Sequence, residues 1–138
     1  AVNLKGLFFC SRAVLPAMRA RKSGKIINIS SSTVFSGSAG RIHYVTSKAG
    51  VIGFTRTLAR EAGEDNIQVN AIAPGSTLSE ENPTEDILRF RRLQVQGRAL
   101  RRVQMPQDLV GAVLFFASGL SDFMTGQTLS VDGGAAMR

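Results

Sequence analysis

Apolar residues recur three or four positions apart over several stretches of the chain and form short continuous runs between them. The first stretch predicts a helix over residues 1–22, which Gly24 ends. Runs rich in β-branched residues predict strands over 25–30, 66–73 and 127–131. The apolar positions of the first helix are Val2, Leu4, Leu7, Phe8, Val14, Leu15 and Met18.

Further helices are predicted between and after these strands. One contains Tyr44 and continues to about Gly63, whose glycine suits a helix terminus. Another begins near Thr84, and a third runs from Pro106 to about Gly119. The Ser- and Gly-rich residues 30–40 are predicted to form a loop.

Tyr44 and Lys48 provide the first chemical indication. They are four residues apart in a predicted helix, so their side chains lie one turn apart on the same side. A fixed ammonium near a phenol favours the ionised form of the phenol. Such a tyrosine suits proton transfer to or from an alcohol oxygen. Ser31 lies at the carboxyl end of the strand 25–30, at the edge where open parallel sheets bind ligands.

Composition limits the class of protein. With 138 residues, 43% of them hydrophobic, the chain is one globular domain or less. Its apolar runs are shorter than the roughly 18 residues that a membrane span needs, and its first ten residues lack the basic leader of a signal peptide. The single cysteine, Cys10, is predicted to be a buried, inert thiol, which fits a reducing cytoplasm.

The net charge of +7 raises the question of nucleic-acid binding. Only Phe90 is interleaved with the arginines of residues 89–102, and no nucleic-acid module is recognised, so we expect no such partner. The arginines form either a solvated helix face or a lid that meets an anionic substrate or cofactor. His43 is the only histidine, and we predict no metal site. The arginines are Arg89, Arg91, Arg92, Arg98, Arg101 and Arg102, and the acidic residues before them, which are predicted to pair with some of them, are Glu80, Glu81, Glu85 and Asp86.

Several motifs occur in a characteristic order. They are Asn3-Leu4-Lys5-Gly6, Ile27-Asn28-Ile29-Ser30-Ser31, Tyr44-Val45-Thr46-Ser47-Lys48-Ala49-Gly50, Val69-Asn70-Ala71-Ile72-Ala73-Pro74-Gly75, Thr125-Gly126-Gln127-Thr128-Leu129 and Val131-Asp132-Gly133-Gly134. Together they resemble the C-terminal, catalytic half of a short-chain dehydrogenase/reductase, from Val2 to Gly134. The resemblance implies an α/β fold, the C-terminal portion of a Rossmann-type doubly wound parallel sheet, with residues 1–138 as a single partial domain.

The glycine fingerprint of that family is not found here. No two of the fourteen glycines are separated by a single residue, so the chain has no Gly-x-Gly. In the family, the strand equivalent to 25–30 pairs with a strand from the N-terminal half. We therefore expect either a portion of a longer protein, which we favour, or a truncated relative that needs a partner to cover an apolar edge.

The resemblance assigns four catalytic positions. Tyr44 is the acid/base, Lys48 favours its ionised form and bonds the nicotinamide ribose, and Ser31 holds the substrate oxygen. Asn3 anchors a water that links Lys48 to solvent. Because serines flank Ser31 on both sides, its choice rests on its thirteen-residue separation from Tyr44.

The resemblance also implies the cofactor, NAD or NADP. The turn Pro74-Gly75 is expected to lie against the nicotinamide, and Ser79 occupies the position of a family threonine that bonds the carboxamide. Residues 76–104 are expected to form a substrate lid. The helices around the first strand are expected to pair with those of a second subunit, which implies a homo-oligomer, a dimer or tetramer.

Three functions follow as hypotheses. The first is an NAD(P)-dependent oxidoreductase that interconverts a secondary alcohol and a ketone, both small molecules. The second is a reductase of 3-oxoacyl groups on acyl carrier protein, which Arg19, Arg21 and Lys22 would attract but Glu64-Asp65 would oppose. The third is a non-catalytic fragment or self-associating module, suggested by the missing fingerprint.

Overall fold

The computed structural model describes residues 2–137 and contains, within them, a three-stranded sheet surrounded by helices. The elements in order are α1 (Val2–Ala20), β1 (Gly24–Ile29), α2 (Thr33–Ser36), α3 (Ile42–Ala62), β2 (Ile67–Pro74), α4 (Glu85–Val95), α5 (Gln107–Ala117) and β3 (Thr128–Val131), with 3₁₀ turns at Gly63–Asp65 and Gly119–Ser121.

The sheet is entirely parallel, in the order β1-β2-β3. Gly24–Ile29 pairs with the first six residues of β2, and the last four residues of β2 pair with β3. All three predicted strands are confirmed. Within residues 2–137, β1 has no strand on its outer edge.

Helical segments cover both faces of the sheet. The Asn28 amide donates to the Thr55 hydroxyl of α3 at 2.9 Å. The Lys25 ammonium, an odd number of residues away on β1, lies 2.7 Å from the Asp122 carboxylate, which follows α5. Because side chains alternate between the faces of a strand, α3 and the α5 segment lie on opposite faces. The predicted doubly wound α/β class is confirmed.

The main apolar core lies between α3 and β2. Its buried residues are packed against partly buried side chains of α1, and burying one large aliphatic side chain contributes roughly 1.5–3 kcal/mol. This packing fixes α3, and with it Tyr44, relative to the sheet. The buried residues of the cluster are Leu58, Ala59, Ala62, Ile67 and Val69.

The end of α1 differs from the prediction. The helix ends at Ala20, Lys22 adopts the left-handed conformation (φ 51°), and Gly24 is already the first residue of β1. A Cβ added to Gly24 would come within 2.5 Å of the Met18 sulfur. The glycine therefore serves the close approach of α1 to the strand and does not terminate the helix.

Two further expectations are corrected. Cys10 is exposed, so the prediction of a buried thiol is wrong. Its neighbours Phe8 and Phe9 are themselves half exposed, at 50% and 55%, so an apolar surrounding in sequence did not mean burial in space. The predicted loop 30–40 contains the one-turn helix α2.

Candidate active site

The first two turns of α3 carry Tyr44 and Lys48. The Lys48 ammonium lies 6.0 Å from the centre of the Tyr44 ring and donates to the Ile29 carbonyl oxygen at 2.9 Å. Both side chains therefore lie where α3 meets the carboxyl end of β1. The predicted pairing of phenol and ammonium on one side of the helix is present.

The three consecutive serines after β1 have different contacts. The Ser30 hydroxyl donates to the Lys48 carbonyl oxygen at 2.8 Å and so holds α3 against the strand. The Ser31 hydroxyl lies 2.9 Å from the Thr33 hydroxyl and lines a cleft with Tyr44. Neither Ser30 nor Ser32 lines this cleft. The spacing argument thus selected the serine that shares a cleft with the tyrosine.

This cleft has a volume of about 280 Å³ and lies at the carboxyl ends of β1 and β2. On the sheet side it is bordered by Ser31, Tyr44 and Gly75, and on the other side by Phe90, Arg91 and Gln94 of α4. Ligands of open parallel sheets bind at this edge. The contribution of α4 was not predicted residue by residue, because the sequence of an amphipathic helix does not say which cleft it covers.

The predicted cofactor positions are only partly brought together. Gly75 lines the cleft, and Pro74, the last residue of β2, is half-buried beside it. Ser79 is exposed and does not line the cleft, and its backbone N–H donates to the Glu80 carboxylate at 3.0 Å. Thr77, which sequence reasoning missed, lines the cleft and donates from its hydroxyl to the Gly75 carbonyl oxygen at 3.2 Å.

Asn3 lies apart from the cleft but is attached to the helix that carries Tyr44. Its amide donates to the Ser47 hydroxyl at 3.0 Å, and that hydroxyl donates to the Tyr44 carbonyl oxygen at 2.8 Å. Ser47 therefore connects α1 to the turn of α3 between Tyr44 and Lys48. The sequence indicates this contact of Ser47 only through its position between Tyr44 and Lys48, and that position alone does not predict a bond to α1.

Two arginines of residues 76–104 fasten this segment to the turn after β2. Arg91 donates to the Ser76 hydroxyl, and Arg98, only 5% exposed, donates to the Ser76 carbonyl oxygen at 2.6 Å. Removal from water lowers the pKa of the Arg98 guanidinium. The alternative of a wholly solvated arginine face is therefore wrong for Arg91 and Arg98. The expected acidic partners are confirmed at two places: Arg91 with Glu80 and Arg92 with Glu85, both at 3.3 Å.

Two other functional features are absent from the described residues. Residues 2–137 contain no group of three or more histidine, cysteine, aspartate or glutamate side chains placed to hold a metal ion. Over the same residues, no helix has the length and apolar character that crossing a membrane requires.

Comparison with known proteins agrees with the fold. A family model described as enoyl-(acyl carrier protein) reductase matches residues 1–136. The chain belongs to the short-chain dehydrogenase/reductase family.

Individual relatives share this assignment. The chain is 46% identical over 136 residues to the 3-oxoacyl-(acyl-carrier-protein) reductase FabG of Chlamydia trachomatis. The matched region covers 97% of this chain and 54% of the relative. It is 39% identical over 137 residues to the acetoacetyl-CoA reductase of an Acinetobacter species. Here the matched region covers 98% of this chain and 54% of the relative.

A solved structure gives the same result. The 3-oxoacyl-(acyl-carrier-protein) reductase of Brucella melitensis with bound NAD superposes with a TM-score of 0.86 at 37% identity, over 99% of this chain and 50% of that one. The chain thus spans about half the length of the relatives it matches.

Proposed function

We propose that this chain carries the catalytic residues of an NAD(P)-dependent oxidoreductase that interconverts a secondary alcohol and a ketone. One observation carries the proposal. The Ser31 hydroxyl and the Tyr44 side chain line one cleft, while the Lys48 ammonium is held 6.0 Å from the tyrosine ring. A hydrogen-bond donor, a proton donor and a fixed cation are the groups that a carbonyl oxygen needs when it becomes an alcohol.

The donors at this edge fit a nicotinamide nucleotide. Tyr44 and Lys48 offer a phenol and an ammonium to the ribose hydroxyls, and the turn Pro74-Gly75 offers backbone groups beside the nicotinamide. We assign the carboxamide contact to Ser79. Thr77 also carries a hydroxyl and, unlike Ser79, lines the cleft. When bound, the cofactor supplies or accepts the hydride.

The side chains of this chain handle the proton and the charge. During reduction, the Tyr44 hydroxyl gives its proton to the carbonyl oxygen, and Ser31 donates a hydrogen bond to the same oxygen. The Lys48 ammonium stabilises the phenolate that remains. Asn3 is assigned a bound water that joins Lys48 to solvent, and its bond to Ser47 holds α1 beside this part of α3. Oxidation of the alcohol follows the same steps in reverse.

We infer that residues 76–104 form a substrate lid. The support is that α4 places Phe90, Arg91 and Gln94 along the cleft, while Ser76 connects the segment to the end of β2. We also propose a homodimer or homotetramer. The half-exposed Phe8 and Phe9 on α1 are apolar surface of the kind that a second subunit covers.

A second candidate is reduction of 3-oxoacyl groups on acyl carrier protein. The names of the relatives favour it. The basic cluster at the end of α1 favours it less, because Asp65 forms ion pairs with both Lys22 and Arg19, the latter at 3.2 Å, and so neutralises charge that an acidic partner would need. Comparing acetoacetyl thioesters with simple ketones decides, since absence of thioester turnover would remove this candidate.

The main proposal is tested by NADH- and NADPH-linked assays on the protein expressed from its complete coding region. We expect turnover of ketones or secondary alcohols, and a loss of at least about 100-fold in kcat for Tyr44→Phe with unchanged thermal unfolding. His43→Gln is the matched control, because His43 adjoins Tyr44 but lies outside the cleft. Full activity of Tyr44→Phe would refute the mechanism. Absence of both turnover and nucleotide binding would favour a non-catalytic module.

A further inference from the structure

The cleft that holds Ser31 and Tyr44 is also lined by two arginines from different parts of the chain. Arg41 immediately precedes α3, and Arg91 belongs to α4. No aspartate or glutamate is among the described residues that line this cleft. The reacting groups thus lie in a cleft whose charged lining side chains are both cations.

Within the part of the chain that the structure describes, the charge of Arg41 has no partner. Its side chain is exposed and has no ion pair or hydrogen bond to any of residues 2–137. The first turn of α3 contains no acidic residue and has no side-chain cap, so the partial positive charge of the helix N-terminus adds to that of Arg41.

The charge of Arg91 is used only in part. One terminal nitrogen donates to the Ser76 hydroxyl and the other reaches Glu80 at 3.3 Å. Its buried Nε atom has no hydrogen-bond partner. Each terminal nitrogen of a guanidinium carries a second N–H, so Arg91 keeps donors that its contacts to Ser76 and Glu80 do not use.

We propose that the substrate is a short oxo or hydroxy carboxylate, and that Arg41 and Arg91 bind its carboxylate while Ser31 and Tyr44 act on its carbonyl or alcohol oxygen. Guanidinium groups bind carboxylates through strong, charge-assisted hydrogen bonds. The volume of about 280 Å³ suits a small molecule, and Phe90 provides apolar surface for a short carbon chain. This inference rests on the proposed oxidoreductase function and names its substrate class.

The test compares short oxo carboxylates with their methyl esters, which keep the ketone but lose the charge, in the protein expressed from its complete coding region. For the wild type we expect kcat/KM to be about 10-fold or more higher for the acid than for its ester. Arg41→Gln should lower kcat/KM for the acid about 10-fold and leave the ester within about twofold. Arg41 is the primary target because its side chain forms no bond to the described residues that the substitution would break.

Arg91→Gln should have the same selective effect on the acid. Its matched control is Arg92→Gln on the same helix, because Arg92 pairs with Glu85 and does not line the cleft. We expect Arg92→Gln to leave the ratio of acid to ester unchanged. A cofactor phosphate is the other anion that two arginines would bind, so the KM of NADH and NADPH is measured for each variant and should stay unchanged.

Three results would overturn the inference: equal use of acid and ester by the wild type, equal loss of both substrates in Arg41→Gln, or a raised KM for the cofactor alone. Calorimetric titration with the oxo carboxylate separates this inference from the proposed function. If no ketone is turned over but the carboxylate binds, and binds about 10-fold more weakly to Arg41→Gln, the anion site stands and the oxidoreductase proposal fails. If neutral ketones are turned over with no preference for the carboxylate, the oxidoreductase proposal stands and the anion site fails.

Discussion

The Lys48 ammonium donates a hydrogen bond to the Ile29 carbonyl oxygen at 2.9 Å and thereby links the second turn of α3 to the last residue of β1. The bond fixes the cation close to the Tyr44 ring, since the two groups are 6.0 Å apart. A flexible surface lysine would spend little time in one place, whereas this one has a defined position between helix and sheet. The role that we propose for Lys48 depends on that position.

Replacing Lys48 by methionine should therefore lower kcat by about 100-fold or more, because the phenolate loses the cation that stabilises it. Lys48→Arg keeps the charge with a different shape and should recover part of the activity. Steady-state assays together with thermal unfolding separate chemistry from folding. Activity of the methionine variant within threefold of wild type would contradict the assigned role.

Ser31 and Ser30 should respond differently to removal of their hydroxyl groups. Ser31→Ala should lower kcat about 100-fold with little change in stability, because its hydroxyl lines the cleft and is assigned to the substrate oxygen. Ser30→Ala should instead lower the free energy of unfolding by about 1 kcal/mol, since its hydroxyl bonds the Lys48 carbonyl oxygen. Urea unfolding and kinetics on the two variants check this, and reversed effects would show that the serines were misassigned.

Asn70 should be important for stability. From the middle of β2 its amide donates to the Met124 carbonyl oxygen at 2.7 Å, and its side-chain oxygen accepts from the Gln127 backbone N–H at 3.0 Å. Asn70→Ala leaves both partners without it, which should cost about 2–4 kcal/mol in urea unfolding. Gln68→Ala on the same strand is the control and should change stability by less than about 0.5 kcal/mol, because among residues 2–137 the Gln68 side chain bonds only Asn66. Equal effects would contradict this account.

Asp108 should make stability depend on pH in the acid range. The Arg102 guanidinium, followed by the Met105 backbone N–H, lowers the pKa of this carboxyl from its usual range to about 2. Between the unfolded value of about 3.9 and pH 2 the unfolded chain binds the proton more readily, so the stabilisation is complete above about pH 5 and is lost as pH falls toward 2.

The variant Asp108→Asn isolates this effect. Urea midpoints measured from pH 7 to pH 2 should show wild type more stable than the variant above pH 5, with the difference shrinking at lower pH. If the difference in stability between wild type and Asp108→Asn stayed constant from pH 7 to pH 2, the ion pair with Arg102 would not be the cause of the pH dependence. Arg102→Gln should reproduce most of the loss, because it removes the largest cause of the shift.

Residue patterns predicted the layered framework well. The apolar runs at 25–30, 66–73 and 127–131 are β1, β2 and β3 within one or two residues, because a strand buried on both faces needs such runs whatever covers it. The order of Ser31, Tyr44 and Lys48 predicted that their side chains lie close together. This prediction has another basis, because a strand end and the helix that follows it are neighbours in space when the chain between them is short.

Contacts between distant segments were not available from the sequence. Arg98 reads as one more charged residue, yet it is buried against Ser76, and the Arg91 contact to the same serine joins residues fifteen positions apart in the chain. Cys10 and Gly24 were misjudged likewise, because burial and close approach depend on what lies opposite.

By itself, then, the sequence determined the kind and order of the elements and the local grouping of phenol, ammonium and hydroxyl, since periodicity and short spacing act through neighbouring residues. Only the tertiary structure decided which residues of α4 line the cleft and that Arg41 and Arg91 are both among the lining residues. Packing of elements far apart in the chain decides which side chains meet, and no local pattern records that.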